Sequence, residues 1–188
     1  VLFRSRAVAA EIASAPSHAA REHEVILGVD PSLRGTGYGV IRVAKPQPTA
    51  LAQGTIVCPA AWARSRCLAK IHEVLRDVIA QHQPTVCVVE GLFFAQNLQT
   101  ALIMGEARGA ALVAAATAGL EIFEIAPRKV KQAIVGYGAA QKLAVAKMVQ
   151  RRLNLAELPA PDAADALALA LTHAQTASRH ALTAPKRV

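Results

Sequence analysis

The spacing of apolar residues changes along the chain and predicts strands first and helices later. Three short apolar runs, separated by glycine and proline, predict an antiparallel meander. These strands are expected at residues 25–30, 39–44 and 51–58. The intervening segment Gly35-Thr-Gly-Tyr-Gly is expected to form a turn, because glycine tolerates positive φ.

Beyond residue 60 the apolar spacing approaches 3.6, which is typical of amphipathic helices. Pro84 ends the first such helix, and the apolar run at 85–90 predicts a fourth strand that is buried on both faces. Further helices are expected at 98–118, 128–135, 141–153 and 162–174, with a fifth strand at 120–125. The order predicts an α/β fold with a mixed central sheet of about five strands, flanked by helices.

Neither end of the chain follows such a pattern. Residues 1–24 mix Arg, Ala, Ser and Glu without a period, and we expect either a disordered extension or an artefact of where the reading frame was opened. Residues 176–188 are expected to form a flexible basic tail. One domain is therefore predicted over residues 25–175.

The formal charge of +8 favours a polyanionic partner, either nucleic acid or an anionic membrane surface. A merely soluble basic protein is the simpler alternative. The apolar stretch at 101–120 is interrupted by Glu106 and Arg108, so it predicts a buried or interface helix rather than a membrane span. The three cysteines lack metal-ligand spacing, and an odd number of cysteines without a clear signal peptide favours a reducing, cytoplasmic compartment.

Four acidic residues stand at the ends of predicted elements: Asp30, Glu90, Asp162 and Asp165. Asp30 and Glu90 end strands, and ligands of open α/β sheets collect at the carboxyl ends of strands. Asp162 and Asp165 stand three apart at the head of a helix and so share one face. Clustered carboxylates repel one another unless a cation such as Mg²⁺ or Mn²⁺ binds them. Two such cations can promote a phosphoryl displacement.

Each acid also has a simpler interpretation. Asp30 precedes a proline and could merely open a turn. Glu90 could be a strand-end residue that turns to water. Asp162 and Asp165 follow Pro161, and aspartates near a helix N-terminus are favoured by capping and by the helix dipole.

Five segments carry a more specific signal. They are GVDPSLRGTGYGVI from Gly28, VEGLFFAQN from Val89, ARG from Ala107, PRKVKQ from Pro127 and DAADALA from Asp162. In this order and spacing they resemble the motifs of the RuvC family of Holliday-junction resolvases, over residues 25–175. The chain departs from that family's pattern at Ser32, where glycine is usual, and at Gly91 and Gln96.

The resemblance implies an RNase H-like fold and Mg²⁺-dependent, paired nicking of four-way DNA junctions in recombination and DNA repair. It makes Asp30, Glu90, Asp162 and Asp165 the catalytic acids and metal ligands, with two Mg²⁺ ions per subunit and Mn²⁺ as an alternative. It also implies a symmetric homodimer and suggests a branch-migration motor as a partner. The small-residue helix around residues 102–116 is the expected dimer seam.

The resemblance also suggests DNA contacts. Phe93 is the candidate for stacking on a base near the crossover, and Lys131 and Lys142 match basic positions that flank the site. Arg128 could extend this basic patch, and Arg34 could reach a phosphate. The alternatives are a phenylalanine in the core and lysines on a solvated helix face.

Two other functions remain compatible with the residues alone. One is a junction-binding module on the same fold that does not cut DNA, although the intact acids argue against it. The other is a nuclease of the same fold that acts on RNA or on an RNA–DNA hybrid. Composition and periodicity do not separate these from a junction resolvase.

Overall fold

A computed structural model describes residues 24–91, 97–178 and 186–188 of the chain. Its strands are β1 (Val25–Asp30), β2 (Gly35–Arg42), β3 (Thr49–Val57), β4 (Val86–Glu90), β5 (Glu121–Ile125) and β6 (Lys186–Arg187). Its helices are α1 (Arg64–His82), α2 (Leu98–Thr117), α3 (Pro127–Val135), α4 (Lys142–Leu153) and α5 (Pro161–Ser178). None of these helices has the length and apolar character that a membrane crossing requires.

The strands form one mixed sheet in the order β3-β2-β1-β4-β5-β6. Strands β1, β2 and β3 are the predicted antiparallel meander, while β4 runs parallel to both β1 and β5. The predicted mixed sheet flanked by helices is therefore confirmed. The short strand β6 was not predicted: it pairs antiparallel with β5, and Arg187 binds Glu121 at 2.9 Å.

Alternation along the strands gives the sheet two apolar faces, each covered by helices. One face packs against α1 and α2, and its strand residues include Leu27, Val29, Val40 and Val89. The other face packs against α3, α4 and α5, and its strand residues include Ile26, Ile41, Val86 and Val88. Asp30 and Glu90 continue the second set in register, so their side chains belong to the face that carries α5.

The predicted turn at residues 35–39 was wrong, because this segment is the first half of β2. Its glycines serve close packing instead of a turn. A Cβ on Gly37 would lie 2.0 Å from the carbonyl oxygen of Asp162, and a Cβ on Gly28 would lie 2.0 Å from that of Ala166. Helix α5 therefore rests directly on the backbone of β1 and β2, and this contact brings its first turn to the ends of the strands.

Candidate active site

A pocket of about 200 Å³ lies where β1 and β4 end. Eight residues line it: Asp30, Glu90, Pro127, Val130, Lys131, Lys142, Val145 and Asp165. Strands β1 and β4 are parallel neighbours with Val29 opposite Val89, so the next residues of each strand are two adjacent carboxylates. Helices α3, α4 and α5 supply the remaining walls.

Burial makes the ionised form of these two carboxylates costly. Loss of solvation, the neighbouring carboxylate of Asp30 and then Asp165 raise the pKa of Glu90 to about 8. The pKa of Asp30 is also raised by burial, although its hydrogen bond with Glu90 opposes this shift. A protonated Glu90 that donates to the Asp30 carboxylate explains why this hydrogen bond raises the pKa of Glu90 and lowers that of Asp30.

Lys142 places a positive charge at the edge of the pocket. Its ammonium group lies 2.9 Å from a carboxylate oxygen of Asp165. This hydrogen bond raises the pKa of Lys142, so the side chain is a cation at neutral pH. The lysine side chain is 67% exposed whereas that of Asp165 is only 20% exposed, so a substrate in solution can reach the charge.

Asp162 stands apart from the other three acids. Its Oδ2 would lie 3.0 Å from a Cβ on Gly35, so its carboxylate is directed towards β2, and it does not line the pocket. Its charge still helps to raise the pKa of Asp30. The structure thus gathers Asp30, Glu90 and Asp165 in one pocket and holds Asp162 at the side next to β2.

The acids of the pocket, Asp30, Glu90 and Asp165, offer carboxylate oxygens, and such oxygens are the ligands that hard divalent cations prefer. Among the residues that the structure describes, however, no three His, Cys, Asp or Glu side chains are arranged so that they could hold a metal ion. Asp30 and Glu90 are hydrogen-bonded to each other, and Asp165 is paired with Lys142. Metal binding would therefore displace the proton shared by the first pair and turn the side chains of these acids.

The raised pKa of Glu90 predicts a pH-dependent stability of the metal-free protein. The folded state holds the Glu90 proton up to about pH 8, whereas an ordinary glutamate releases it near 4.5. The stabilisation is complete below pH 4.5 and is lost as the pH rises to 8. In EDTA we expect the free energy of unfolding to fall over this range by roughly 4–5 kcal/mol, since the pKa rises from 4.5 to about 8 and each pKa unit corresponds to about 1.4 kcal/mol.

Denaturant titrations of the wild type, Glu90→Gln and Glu157→Gln between pH 5 and 8.5 measure this effect. In Glu90→Gln the free energy of unfolding should depend less on pH than in the wild type. This variant should also be more stable than the wild type at pH 8, because its neutral amide carries no charge to bury. Glu157 is exposed, so Glu157→Gln should follow the wild type. A Glu90→Gln profile as steep as that of the wild type would contradict the assignment of the proton.

The predicted DNA-contact residues have different surroundings. Lys131 lines the acidic pocket. Arg128 is exposed on α3, and its aliphatic stem packs against Gly138, where a Cβ would lie 2.5 Å from Arg128 Cγ. Phe93 lies outside the described residues. The suggestion that Arg34 reaches a phosphate stays a prediction: its exposed guanidinium donates to the Pro59 carbonyl at 2.6 Å and to other groups of the segment after β3.

A second, larger depression of about 510 Å³ lies between β3 and the connection from α4 to α5. Its nine lining residues include one carboxylate, Glu157, and no cation. It lacks the grouped acids and the lysines of the smaller pocket. Charge therefore identifies the smaller pocket as the candidate active site, in spite of its volume.

Sequence reasoning missed one half-buried ion pair near the site. Arg108 of α2 binds Glu124 of β5 on the face of the sheet opposite to the acidic pocket. The available signal was Arg108 itself, a charged residue between Ala107 and Gly109 in a helix rich in small and apolar residues. A charge at such a position is costly unless it is paired, so a partner could have been sought.

The family model described as crossover junction endodeoxyribonuclease RuvC matches residues 26–173. The curated relative from Pasteurella multocida is 47% identical over 152 residues, covering 81% of this chain and 80% of its own. The relative from Citrifermentans bemidjiense is 44% identical over 158 residues, covering 84% of this chain and 96% of its own. Both relatives are named crossover junction endodeoxyribonuclease RuvC.

The fold matches that of a solved relative as well. RuvC of Thermus thermophilus, determined in complex with a Holliday junction substrate, superposes with a TM-score of 0.80 at 35% identity. The match covers 88% of this chain and 100% of the solved one. The α/β architecture is therefore the RNase H-like arrangement that the sequence motifs implied. The chain belongs to the RuvC family of crossover junction endodeoxyribonucleases, a family of metal-dependent nucleases.

Proposed function

We propose that this protein is a structure-selective endonuclease that resolves four-way (Holliday) DNA junctions by paired, metal-dependent nicks in homologous recombination and DNA repair. The observation that carries the proposal is the pocket in which Asp30, Glu90 and Asp165 meet Lys131 and Lys142. A compact group of carboxylates bounded by lysines suits a phosphodiester: the acids can hold cations, and the lysines can meet the phosphate. Membership of the family and the junction bound to the Thermus relative support the choice of substrate.

Asp30, Glu90, Asp162 and Asp165 would hold Mg²⁺, with Mn²⁺ as the alternative and two ions per subunit. When bound, the cations would supply a charge clamp for the attacking water and for the leaving oxygen of the phosphodiester. The buried Asp30 and Glu90 would be the inner ligands, because a cation relieves the cost of their burial. Asp162 would serve from the side next to β2, close to the backbone of Gly35.

Lys142 would hold the scissile phosphate and offset the charge that develops on it, with Lys131 beside it in the same pocket. Arg128, exposed on α3, would extend the path for the DNA backbone. Phe93, which follows Glu90 by three residues, is proposed to stack on a base next to the crossover. Such contacts contribute about 1–3 kcal/mol per base.

Replacing Lys142 by Met should slow nicking more than it weakens binding. We expect single-turnover nicking to fall roughly 100-fold, as for the loss of one preorganised donor to a developing charge. The slope of log affinity against log salt should decrease by about 1, because one phosphate contact is lost. Lys147→Met is the matched control, since Lys147 is an exposed lysine on the same helix that does not line the pocket. Equal rates for the two variants would remove Lys142 from the mechanism.

A homodimer would give the enzyme two pockets for the two symmetric strands of a junction. One face of α2 supports this proposal. Leu98, Leu102 and Val113 on it are between 52% and 77% exposed. Between them, a Cβ on Gly105 or Gly109 would meet nothing within 4 Å. We call these five residues the α2 seam; glycines four residues apart permit two helices to approach closely.

Further parts of the proposal concern the setting of the enzyme. The three cysteines Cys58, Cys67 and Cys87 are free thiols in the structure, which agrees with action in a reducing cytoplasm. A branch-migration motor that delivers junctions to the dimer is proposed as a partner on the strength of the family resemblance alone.

A cleavage assay on matched substrates tests the proposed function. A four-way junction, a linear duplex and an RNA–DNA hybrid, all built from the same strands, are incubated with the protein in Mg²⁺, Mn²⁺ or EDTA. We expect paired nicks in the junction only, and none in EDTA. Binding of the junction without cutting under all conditions would favour a non-catalytic module, and preferential cutting of the hybrid would favour an RNA-directed nuclease.

A further inference from the structure

The ion pair between Arg108 and Glu124 lies beneath the acidic pocket, on the other face of the sheet. Val89 pairs with Glu124 and Glu90 pairs with Ile125, so Glu124 and Glu90 project from opposite faces of neighbouring strands. An Nη of Arg108 donates to the Glu124 carboxylate, and the two side chains are 12% and 28% exposed. The pairing restrains both side chains, because either charge would be costly to bury alone.

Glu124 also bounds the residue that follows Glu90. A Cβ on Gly91 would lie 3.1 Å from Glu124 Cγ and 3.2 Å from its Oε1, so the Glu124 side chain lies close beside Gly91 and leaves little room for a larger residue there. On its other side, the Gly91 N–H donates to the carbonyl of Ile125 at 3.0 Å. Gly91 is thus held between a side chain and a strand, one peptide bond from Glu90.

Helix α2 supplies the first residue in this series of contacts. Arg108 projects from α2 towards the sheet, next to the fully buried Ala107. A continuous series of contacts therefore leads from α2 to Glu90. It runs from the guanidinium of Arg108 to the carboxylate of Glu124, and from there to the backbone of Gly91. The Arg108 side chain is largely enclosed and already paired with Glu124, so it is poorly placed to bind a phosphate from solution.

We propose that Arg108 and Glu124 are positioning residues for Glu90: their ion pair fixes the Glu124 side chain against Gly91 and thereby sets the backbone from which Glu90 enters the pocket. The inference rests on the proposed role of Glu90 as a metal ligand. Loss of the pair frees the Glu124 side chain and lets Gly91 shift. Displacement of a reacting group by even 1 Å can cost about 100-fold in rate.

The test separates chemistry from binding and from folding. Single-turnover nicking of a four-way junction at saturating protein and Mg²⁺ is compared with junction affinity in EDTA for Arg108→Met, Arg108→Lys and Glu124→Gln. For Arg108→Met and Glu124→Gln we expect nicking to fall roughly 10- to 100-fold, junction affinity to stay within about 2-fold, and the Mg²⁺ midpoint to rise. Arg108→Lys keeps a charged donor and should recover part of the rate.

A matched control comes from a second ion pair of α2. Arg64 binds Glu106 at 3.1 Å on the exposed side of the helix, so Arg64→Met should nick at the wild-type rate. Circular dichroism at the assay temperature establishes that each variant is folded. Should Arg108→Met fail to fold, Glu124→Gln decides the matter, because its amide retains the shape of the carboxylate.

Wild-type nicking by folded Arg108→Met or Glu124→Gln would overturn the inference. So would a parallel loss of nicking and junction affinity, which would make the pair part of the DNA-binding surface. Asp30→Asn, assayed alongside, distinguishes failure of the proposed function. If Asp30→Asn nicks normally, the acidic pocket is not the catalytic centre, whatever Arg108 does.

Discussion

Replacing Asp30 by Asn is expected to abolish junction nicking while leaving junction binding intact. Asp30 interacts with each of the neighbouring acids: Glu90 is hydrogen-bonded to it, and the charges of Asp165, Lys142 and the more distant Asp162 all act on its pKa. The amide is a poor ligand for Mg²⁺ compared with a carboxylate. Loss of several kcal/mol of transition-state stabilisation corresponds to a fall of at least roughly 1,000-fold, since each 1.4 kcal/mol is a factor of ten.

Folding offers no alternative explanation for that loss. Burial raises the pKa of Asp30, so the ionised carboxylate destabilises the fold, and the neutral amide should melt at an equal or higher temperature in EDTA. Asp77→Asn is the control, because Asp77 is an exposed aspartate of α1 that binds Arg76. Wild-type nicking by Asp30→Asn, measured in single turnovers, would end the proposal that Asp30 is a ligand.

Leu102→Glu is expected to dissociate the proposed dimer and to uncouple the two nicks. Leu102 is exposed on the α2 seam, so a glutamate there leaves the monomer core untouched. Across a two-fold axis the new charge faces its own copy or an apolar neighbour, and both contacts are unfavourable. Light scattering should give a mass of 19.7 kDa for the variant and twice that for the wild type.

The functional result can be measured on a supercoiled plasmid that extrudes a cruciform. Paired nicks within one binding event give linear DNA, whereas a single nick gives an open circle. We expect the wild type to produce mostly linear DNA and Leu102→Glu mostly open circles. Leu158→Glu, a change at another exposed leucine outside the seam, should behave as the wild type. A dimeric Leu102→Glu would show that the subunits meet elsewhere.

Gly109→Leu tests the same surface with a substitution that should stabilise the monomer instead of leaving it unchanged. Leucine is the better helix former by about 0.5–1 kcal/mol, and a Cβ at this position meets nothing in the monomer. The substitution should therefore raise the melting temperature of the monomer while it weakens the dimer. A destabilised monomer would instead mean that Gly109 already packs against its own chain.

The strand and helix pattern could be predicted because each element buries one face and repeats its apolar residues accordingly. The stripe through Ile71 and Leu75 predicted α1, and both residues are buried. The start of β2 could not be predicted in this way. Gly35, Gly37 and Gly39 read locally as a turn, and only the close approach of α5 explains why glycines occupy a strand.

The acidic pocket was predictable to a similar extent. Strand ends indicated that Asp30 and Glu90 would be neighbours, and the parallel register of β1 and β4 makes them so. Asp162 and Asp165 were predicted to point the same way, and this was wrong, because residues three apart on a helix differ by about 60° in direction. That angle lets Asp165 enter the pocket while Asp162 lies against β2.

Contacts between residues far apart in the sequence were the hardest part of the structure to predict. Glu124 sits in a strand where its alternation with Ile125 looks like ordinary solvent exposure, yet it binds Arg108. Strand β6 is two residues of a basic tail that lie opposite Phe123 and Glu124 of β5, and Arg187 also binds Glu121. Both contacts join residues far apart in sequence, and periodicity reports only on neighbours.

A crystal soaked in Mn²⁺ tests the central claim most directly, because anomalous scattering locates the ion without reference to activity. We expect a peak within roughly 2.0–2.6 Å of carboxylate oxygens of both Asp30 and Glu90, with the Lys142–Asp165 ion pair rearranged. An empty acidic pocket in a crystal of protein that cuts junctions in the same Mn²⁺ buffer would contradict it.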